Sequence, residues 1–205
     1  MKGKFIVLEG GEGAGKSTFA SFLKHSLSEK RVLVTRAGGS VFGERLRALF
    51  VSDEAGRASP ESRFALAFAA QADHMCQVVA PALAKGQHII SDRLDASIFA
   101  YQVYAEEKPH LVELFWNTRK GLFLETLPDL YVFLAVDTDE GFKRAKTEKR
   151  RFDHFERRPH AFHERVREGY AEFLKTVPHV IVDANRPLEA VQDEVLDIIR
   201  KYIRS

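Results

Sequence analysis

Residues 10–18 read Gly10-Gly11-Glu12-Gly13-Ala14-Gly15-Lys16-Ser17-Thr18. The first eight match G-x-x-x-x-G-K-[ST] in full, between a short apolar run at residues 5–8 and a stretch with helical spacing. Glycines are needed there because the loop must turn tightly and aim successive backbone N–H groups at phosphate oxygens, with no side chain in the way. Lys16 is placed to hold the β- and γ-phosphates and Ser17 to ligate Mg²⁺, while the following helix directs its positive dipole end at the same anion. Strand, loop and helix in that order favour a nucleotide-phosphate site over a plain glycine-rich turn. The motif specifies a nucleotide and leaves the reaction open.

Working outward, Phe19, Phe22, Leu23 and Leu27 fall at i, i+3, i+4 and i+8, one face of the helix after the loop. Further apolar runs of strand length occupy residues 31–35, 87–91, 130–136 and 180–182. Ser59-Pro60, a cap followed by proline at the first helical position, opens a long helix carrying Phe64, Leu66, Phe68, Met75 and Val79 toward Pro81, and Gly86 ends the segment. Asn185-Arg186-Pro187 opens a last amphipathic helix with Val191, Val195, Leu196, Ile199 and Ile203 on its apolar side. The strand runs are near-continuously apolar, which predicts a parallel sheet covered by helices on both faces, an α/β fold. No internal repeat or low-complexity linker divides residues 1–205, so a single domain is expected.

Composition narrows the function classes. With 205 residues, 45% of them hydrophobic, the chain suffices for one buried core and is short for two. Thirty-one Lys and Arg against 29 Asp and Glu leave a net charge of +2, which excludes a broad nucleic-acid or anionic-membrane surface. That balance is uneven: residues 143–158 hold eight basic and three acidic residues. The one cysteine, Cys76, cannot form an internal disulfide, and its apolar surroundings predict a small buried hydrophobe. The opening MKGKFIVLEGG is too short in its apolar run for a signal peptide or a membrane span, so a reduced, cytoplasmic protein is expected.

Four ordered blocks extend the phosphate loop. They are FIVLEGGEGAGKST with Glu12 inside the loop; Thr35-Arg36-Ala37-Gly38-Gly39-Ser40 with Gly43-Glu44-Arg45-Leu46-Arg47; Asp92-Arg93 with Ser97 and Ala100-Tyr101-Gln102; and Asp153-His154-Phe155-Glu156 with Phe162, Arg165, Val166, Gly169 and Tyr170. Together they resemble the thymidylate kinase family of nucleoside monophosphate kinases. The resemblance implies the P-loop NTPase fold with a five-stranded parallel sheet, a short basic lid at about residues 143–158, a homodimer built on long central helices, and ATP with Mg²⁺ as cofactors. It further implies ATP-dependent phosphorylation of dTMP to dTDP, with ATP and a deoxynucleoside monophosphate as the partners and neither nucleic acid nor membrane.

The residue types suit that chemistry. Two phosphorylated nucleotides bring anions together, and Arg36, Arg47 and Arg93 lie at or just after the ends of expected strands, where ligands bind open α/β sheets. The resemblance places these arginines around the acceptor phosphate, with Ser97, Tyr101 and Gln102 in the same acceptor-binding block. It places Glu12 near the acceptor sugar and metal. Asp92 ends an apolar strand, from which a carboxylate reaches Mg²⁺ or caps a helix. Phe68 and Tyr101 are candidates to frame the acceptor base or to join the core. Among the lid cations, Arg144 or Arg150 is expected to neutralise charge on the transferred group, as an arginine finger in cis.

Departures bear on the acceptor base. The family's Glu-Pro before the paired glycines is here Ala37 alone, and the arginine that reads the thymine edge is Gln71 in Ala70-Gln71-Ala72-Asp73-His74. An amide still donates to a carbonyl and accepts from an N–H. The glycine-rich stretch after Gln102 is Val103-Tyr104-Ala105-Glu106, and the arginine of the lid block is His154. Two alternatives therefore stand beside dTMP: a kinase for dUMP, dCMP or dGMP, and a non-catalytic nucleotide-binding protein. His154, His160 and His163 near the lid are read as solvated or structural rather than as a metal site.

Overall fold

A computed structural model describes residues 3–27, 31–123, 126–147 and 153–204. Five strands, β1 (Phe5–Gly10), β2 (Val32–Arg36), β3 (His88–Asp92), β4 (Leu130–Ala135) and β5 (His179–Asp183), form one parallel sheet in the order β2-β3-β1-β4-β5. The apolar runs located all five strands to within two residues at either end. Because every pairing is parallel, the carboxyl ends lie along one edge, with Leu8 and Arg36 both opposite Asp92 and Gly10 opposite Leu134.

Alternation along β1 divides the core. Ile6 and Leu8 join Phe19 and Leu23 of α1 (Lys16–Ser26) and Val195 and Ile199 of α10 (Leu188–Arg204) on one face. Phe5 and Val7 face the larger cluster under α4 (Pro60–His74), α7 (His110–Phe123) and α9 (His160–Leu174), where Trp116 and Phe173 stack with centroids 5.6 Å apart. Central strand β1 is wholly buried, whereas edge strand β2 is only half-buried and Ile181 of edge strand β5 is exposed. Burial on both faces thus holds for the middle of the sheet and relaxes at its edges.

The long helical segment runs to Gly86 as expected, with one irregularity. Ser59 caps it by accepting from the Ser62 amide, with Pro60 in the first turn, and the helical run passes through Pro81. It widens into a π-helical turn at Met75–Val79 and continues as α5 (Ala80–Ala84), until Gly86 turns it at φ 73°. A wider turn makes room for a proline ring and its missing N–H, which a regular helix accommodates poorly. Met75 and Val79 point inward, and Cys76 beside them is exposed, correcting the expected burial of the thiol. Phe68, Met75 and Val79 are buried within the chain, so the faces α4 leaves open carry small residues such as Ala65 and Ala69. Among the described residues, no helix is long and apolar enough to cross a membrane.

Candidate active site

The phosphate loop leaves β1 through three glycines with positive φ: Gly10 at 154°, Gly13 at 67° and Gly15 at 83°. A side chain at Gly13 or Gly15 would strain the backbone, so the sequence spends glycine where the turn requires it. Gly15 stands at the start of α1, whose first residue, Lys16, is buried with Nζ donating to the Gly11 carbonyl at 2.6 Å. Burial, reinforced by the Arg93 charge, lowers the Lys16 ammonium to about 8, against the raising influence of Glu12 and Asp92. Next in line, the Ser17 hydroxyl donates to Asp92 Oδ2 at 2.9 Å. The short helix α6 (Asp95–Ile98) begins at Leu94 without a side-chain cap, so Asp92 faces the loop and does not cap a helix.

Arg93 directly follows β3 in a left-handed conformation, φ 65°, which swings its side chain across the loop. Its Nη2 donates to Glu12 Oε1 at 3.0 Å, while Nη1 lies within 3.2 Å of the Gly10 carbonyl, Ser97 Oγ and Tyr170 OH. Tyr101 donates to the same Glu12 oxygen at 2.7 Å, and the guanidinium sits over its ring. Burial would raise the Glu12 carboxyl, but Arg93, Lys16 and the Tyr101 hydrogen bond outweigh it and hold the group at about 2. The loop therefore presents a fixed carboxylate flanked by two cations.

Beneath this layer is a residue that pattern reading missed. Glu9, fully buried at the end of β1, accepts from the Leu94 amide at 2.8 Å, the Ser97 hydroxyl at 2.7 Å and Tyr170 at 3.1 Å. It thereby fixes the two hydroxyls that face Arg93. Burial raises its carboxyl above the ordinary value. The available signal was an ionisable residue closing an otherwise apolar strand, a combination that requires partners.

The acceptor-side candidates are less closely gathered. Arg36 is exposed and paired with Glu44 at 2.5 Å. Arg47, on α2 (Val41–Phe50), is half-buried, and burial together with the Arg36 and Arg93 charges lowers its pKa. Phe68 is buried and packs between Phe64 and Phe115. Gln71 is buried and donates to the Leu94 carbonyl at 2.8 Å, leaving Oε1 without a partner among the described residues. The Gln102 amide, in a second π-helical turn at Phe99–Tyr104, is buried with neither polar atom bonded among the described residues.

A family model described as thymidylate kinase matches residues 8–195. The chain belongs to the thymidylate kinase family. It is 38% identical over 199 residues to a protein named thymidylate kinase from Methylococcus capsulatus, covering 94% of this chain and 93% of that one. Proteins of the same name from Chlamydia caviae and Legionella pneumophila are each 36% identical, over 94% and 99% of this chain and 95% and 97% of theirs.

Within this thymidylate kinase fold, the basic segment runs from α8 (Thr138–Thr147) toward α9, and Arg150 lies outside the described residues. Arg144 bonds Glu140 at 2.9 Å and the Ala184 carbonyl at 2.7 Å, which ties α8 to the end of β5. The returning arm is fastened to the opposite side. His154 bonds the Phe50 carbonyl at 2.9 Å, Arg157 pairs with Asp53, and Arg158 shares Glu106 with the buried Arg63. His160 lies 3.2 Å from Asp139 and His163 packs edge-on against Phe142, so the three histidines point to different partners.

Proposed function

We propose that this protein transfers the γ-phosphoryl group of ATP to the 5′-phosphate of dTMP, giving dTDP and ADP. One observation carries the reading: Lys16, Ser17, Asp92, Arg93 and Glu12 occupy one contiguous cluster at the carboxyl edge of the sheet, in a chain of the thymidylate kinase family. Backbone N–H groups from Gly10 to Thr18 and the start of α1 would cradle the ATP phosphates. Lys16 would exchange the Gly11 carbonyl for phosphate oxygen, a stronger charge-assisted partner. Arg93, with its planar fork already aligned, would orient the acceptor phosphate, with Arg36 and Arg47 beside it.

The 2.9 Å Ser17–Asp92 pair supplies two oxygen ligands of the type Mg²⁺ takes, one from the loop and one from β3. Mg²⁺ held there would supply charge neutralisation to the phosphates. Glu12, held ionised by Arg93 and Lys16, would accept from the acceptor sugar. Catalysis on this scheme is positional and electrostatic, with Arg144 or Arg150 supplying charge from the lid. Gln71, Tyr101, Gln102 and Ser97 complete the acceptor wall or its support, and a cytoplasmic homodimer assembled on α4 belongs to the same reading.

The test is ADP formation from ATP and Mg²⁺ with each deoxynucleoside monophosphate in turn. Strongest stimulation by dTMP is expected. Strongest stimulation by dCMP, dUMP or dGMP would reassign the substrate, and no stimulation by any acceptor would end the kinase reading.

A further inference from the structure

Asp95 opens α6 two residues after Arg93, and its side chain is fully buried. A carboxylate is costly to bury unless charge and hydrogen bonds meet it. Both of its oxygens are engaged: Arg119 of α7 pairs with Oδ2, and the Tyr131 hydroxyl of β4 donates to Oδ1 at 2.8 Å. Arg119 Nη2 also donates to the Tyr131 oxygen at 3.2 Å, and its guanidinium lies over the rings of Trp116 and Phe173. The turn that joins this triad to the phosphate loop is held along its whole backbone. The Arg93 amide donates to the Leu8 carbonyl at 2.9 Å, and its carbonyl accepts from the Ser91 hydroxyl at 2.8 Å. The Leu94 amide donates to Glu9, and its carbonyl accepts from Gln71, both at 2.8 Å. A non-glycine residue at φ 65° persists only where its surroundings over-determine it.

We infer that Arg119 is a positioning residue for phosphoryl transfer: by giving the buried Asp95 a cation of its own, it anchors the start of α6 and keeps Arg93 left-handed and aimed across the phosphate loop. Charge sorting is the physical core of this role. Glu9 and Asp95 are both buried beside the turn; burial raises the Glu9 carboxyl, and the Asp95 charge adds to that effect. Arg93 is meanwhile spent on Glu12, Ser97 and Tyr170. Without Arg119, Asp95 would be a buried charge lacking its ion pair, two residues from the Arg93 backbone. It could be relieved by rotating the start of α6 toward water or by drawing the Arg93 guanidinium back. Either response takes Arg93 away from Glu12. The four backbone bonds of the turn do not compensate, because none of them neutralises Asp95. The consequence for the acceptor phosphate rests on the kinase reading; the placement of Arg93 does not.

The test follows the Arg93 guanidinium by ¹H–¹⁵N NMR on the full chain, its resonances assigned by their loss in Arg93→Lys, with steady-state kinetics alongside. Arg119→Met keeps an unbranched stem against Trp116 and Phe173 and removes the charge. In that variant the Arg93 resonances should move toward those of a solvated arginine. KM for dTMP should rise about tenfold or more, while KM for ATP stays within about threefold of the parent. Arg119→Lys, which returns the charge without the fork, should recover part of both changes. Ile199→Ala, a cavity on the other face of the sheet, should lower Tm and leave both readouts at parental values. Unmoved Arg93 resonances in Arg119→Met, a parental KM for dTMP in an active Arg119→Met, or an equal change in Ile199→Ala overturns the inference. If Arg119→Met loses its cooperative melt, Tyr131→Phe takes its place, with a smaller shift of the same sign, and unmoved resonances there are likewise fatal. A chain that shows the Arg93 shift but phosphorylates nothing would refute the kinase reading and leave the anchoring of Arg93 standing.

Discussion

Gly13 and Gly141 meet backbone to backbone: a Cβ on Gly13 would lie 2.0 Å from the Gly141 carbonyl oxygen, and one on Gly141 would lie 2.3 Å from the Glu12 carbonyl oxygen. The phosphate loop therefore rests directly on the first turns of α8, with no side chain between them. Neither side can yield cheaply, because both obstacles are main chain. Gly141→Ala is expected to displace the loop and to reduce kcat/KM for ATP at least tenfold, with a smaller loss in Tm. Gly13→Ala adds a left-handed penalty of about 1–2 kcal/mol and should be worse on both counts. Steady-state kinetics and thermal melts check the order, and equal activity of parent and Gly141→Ala would contradict it.

The lowered Lys16 ammonium gives a pH signature. A lysine at about 8 in the free enzyme loses its proton as pH rises through that value, and with it the charge that holds phosphate. The kcat/KM for ATP should fall on an alkaline limb near pH 8. Bound phosphates favour the charged form, so the corresponding limb in kcat should lie higher. Coincident limbs in the two profiles would show that Lys16 is not the titrating group.

Arg93→Lys keeps one positive charge and removes the fork. Its contacts to Glu12, Ser97 and Tyr170 diverge in direction, and a single ammonium cannot replace them all. A fall in kcat/KM for dTMP of roughly a hundredfold, about 2.7 kcal/mol, is expected, measured against an ATP KM that moves much less. A lysine variant with parental kcat/KM would remove Arg93 from the acceptor site.

Glu9→Gln tests the layer below. The amide presents a donor where the carboxylate accepts from Ser97, Tyr170 and the Leu94 amide, leaving at least one buried group unsatisfied at about 1–3 kcal/mol. Lower Tm together with a reduced kcat is expected, and Tyr170→Phe should give a milder version of the same pair. Loss of stability with unaltered kcat would make Glu9 a purely structural residue.

How far the sequence could be read depended on how many residues carried each signal. The sheet was legible because five apolar runs each repeat the same message over several positions, and the phosphate loop because its spacing is fixed by backbone geometry. Asp92 and Arg93 were singled out by their place at a strand end and by the resemblance, and the structure sets both against the phosphate loop. Glu9 was not, since one acidic residue after an apolar run looks like the first residue of the loop until Leu94, Ser97 and Tyr170 are brought to it from elsewhere in the chain. Phe68 was ambiguous for a related reason. Helical spacing gives the face it occupies but not which side of that face the acceptor meets. Cys76 was expected in the core because its neighbours in sequence are apolar, but it lies on the open side of the helix while Met75 and Val79 face inward.

The π-helical widening at Met75–Val79 acts as a phase corrector. Phe64 and Leu83 are both buried, yet nineteen positions of uninterrupted α-helix would set them about 100° apart around the axis. The extra residue taken up by the π turn returns them to one bearing, so the two ends of the segment are aligned despite an odd register. Removing the exposed Gln77 and replacing Pro81 by Ala should therefore leave a straight helix with both ends still facing inward. The segment has the character of a single-residue insertion whose removal would leave Gln71 on its present face of the helix.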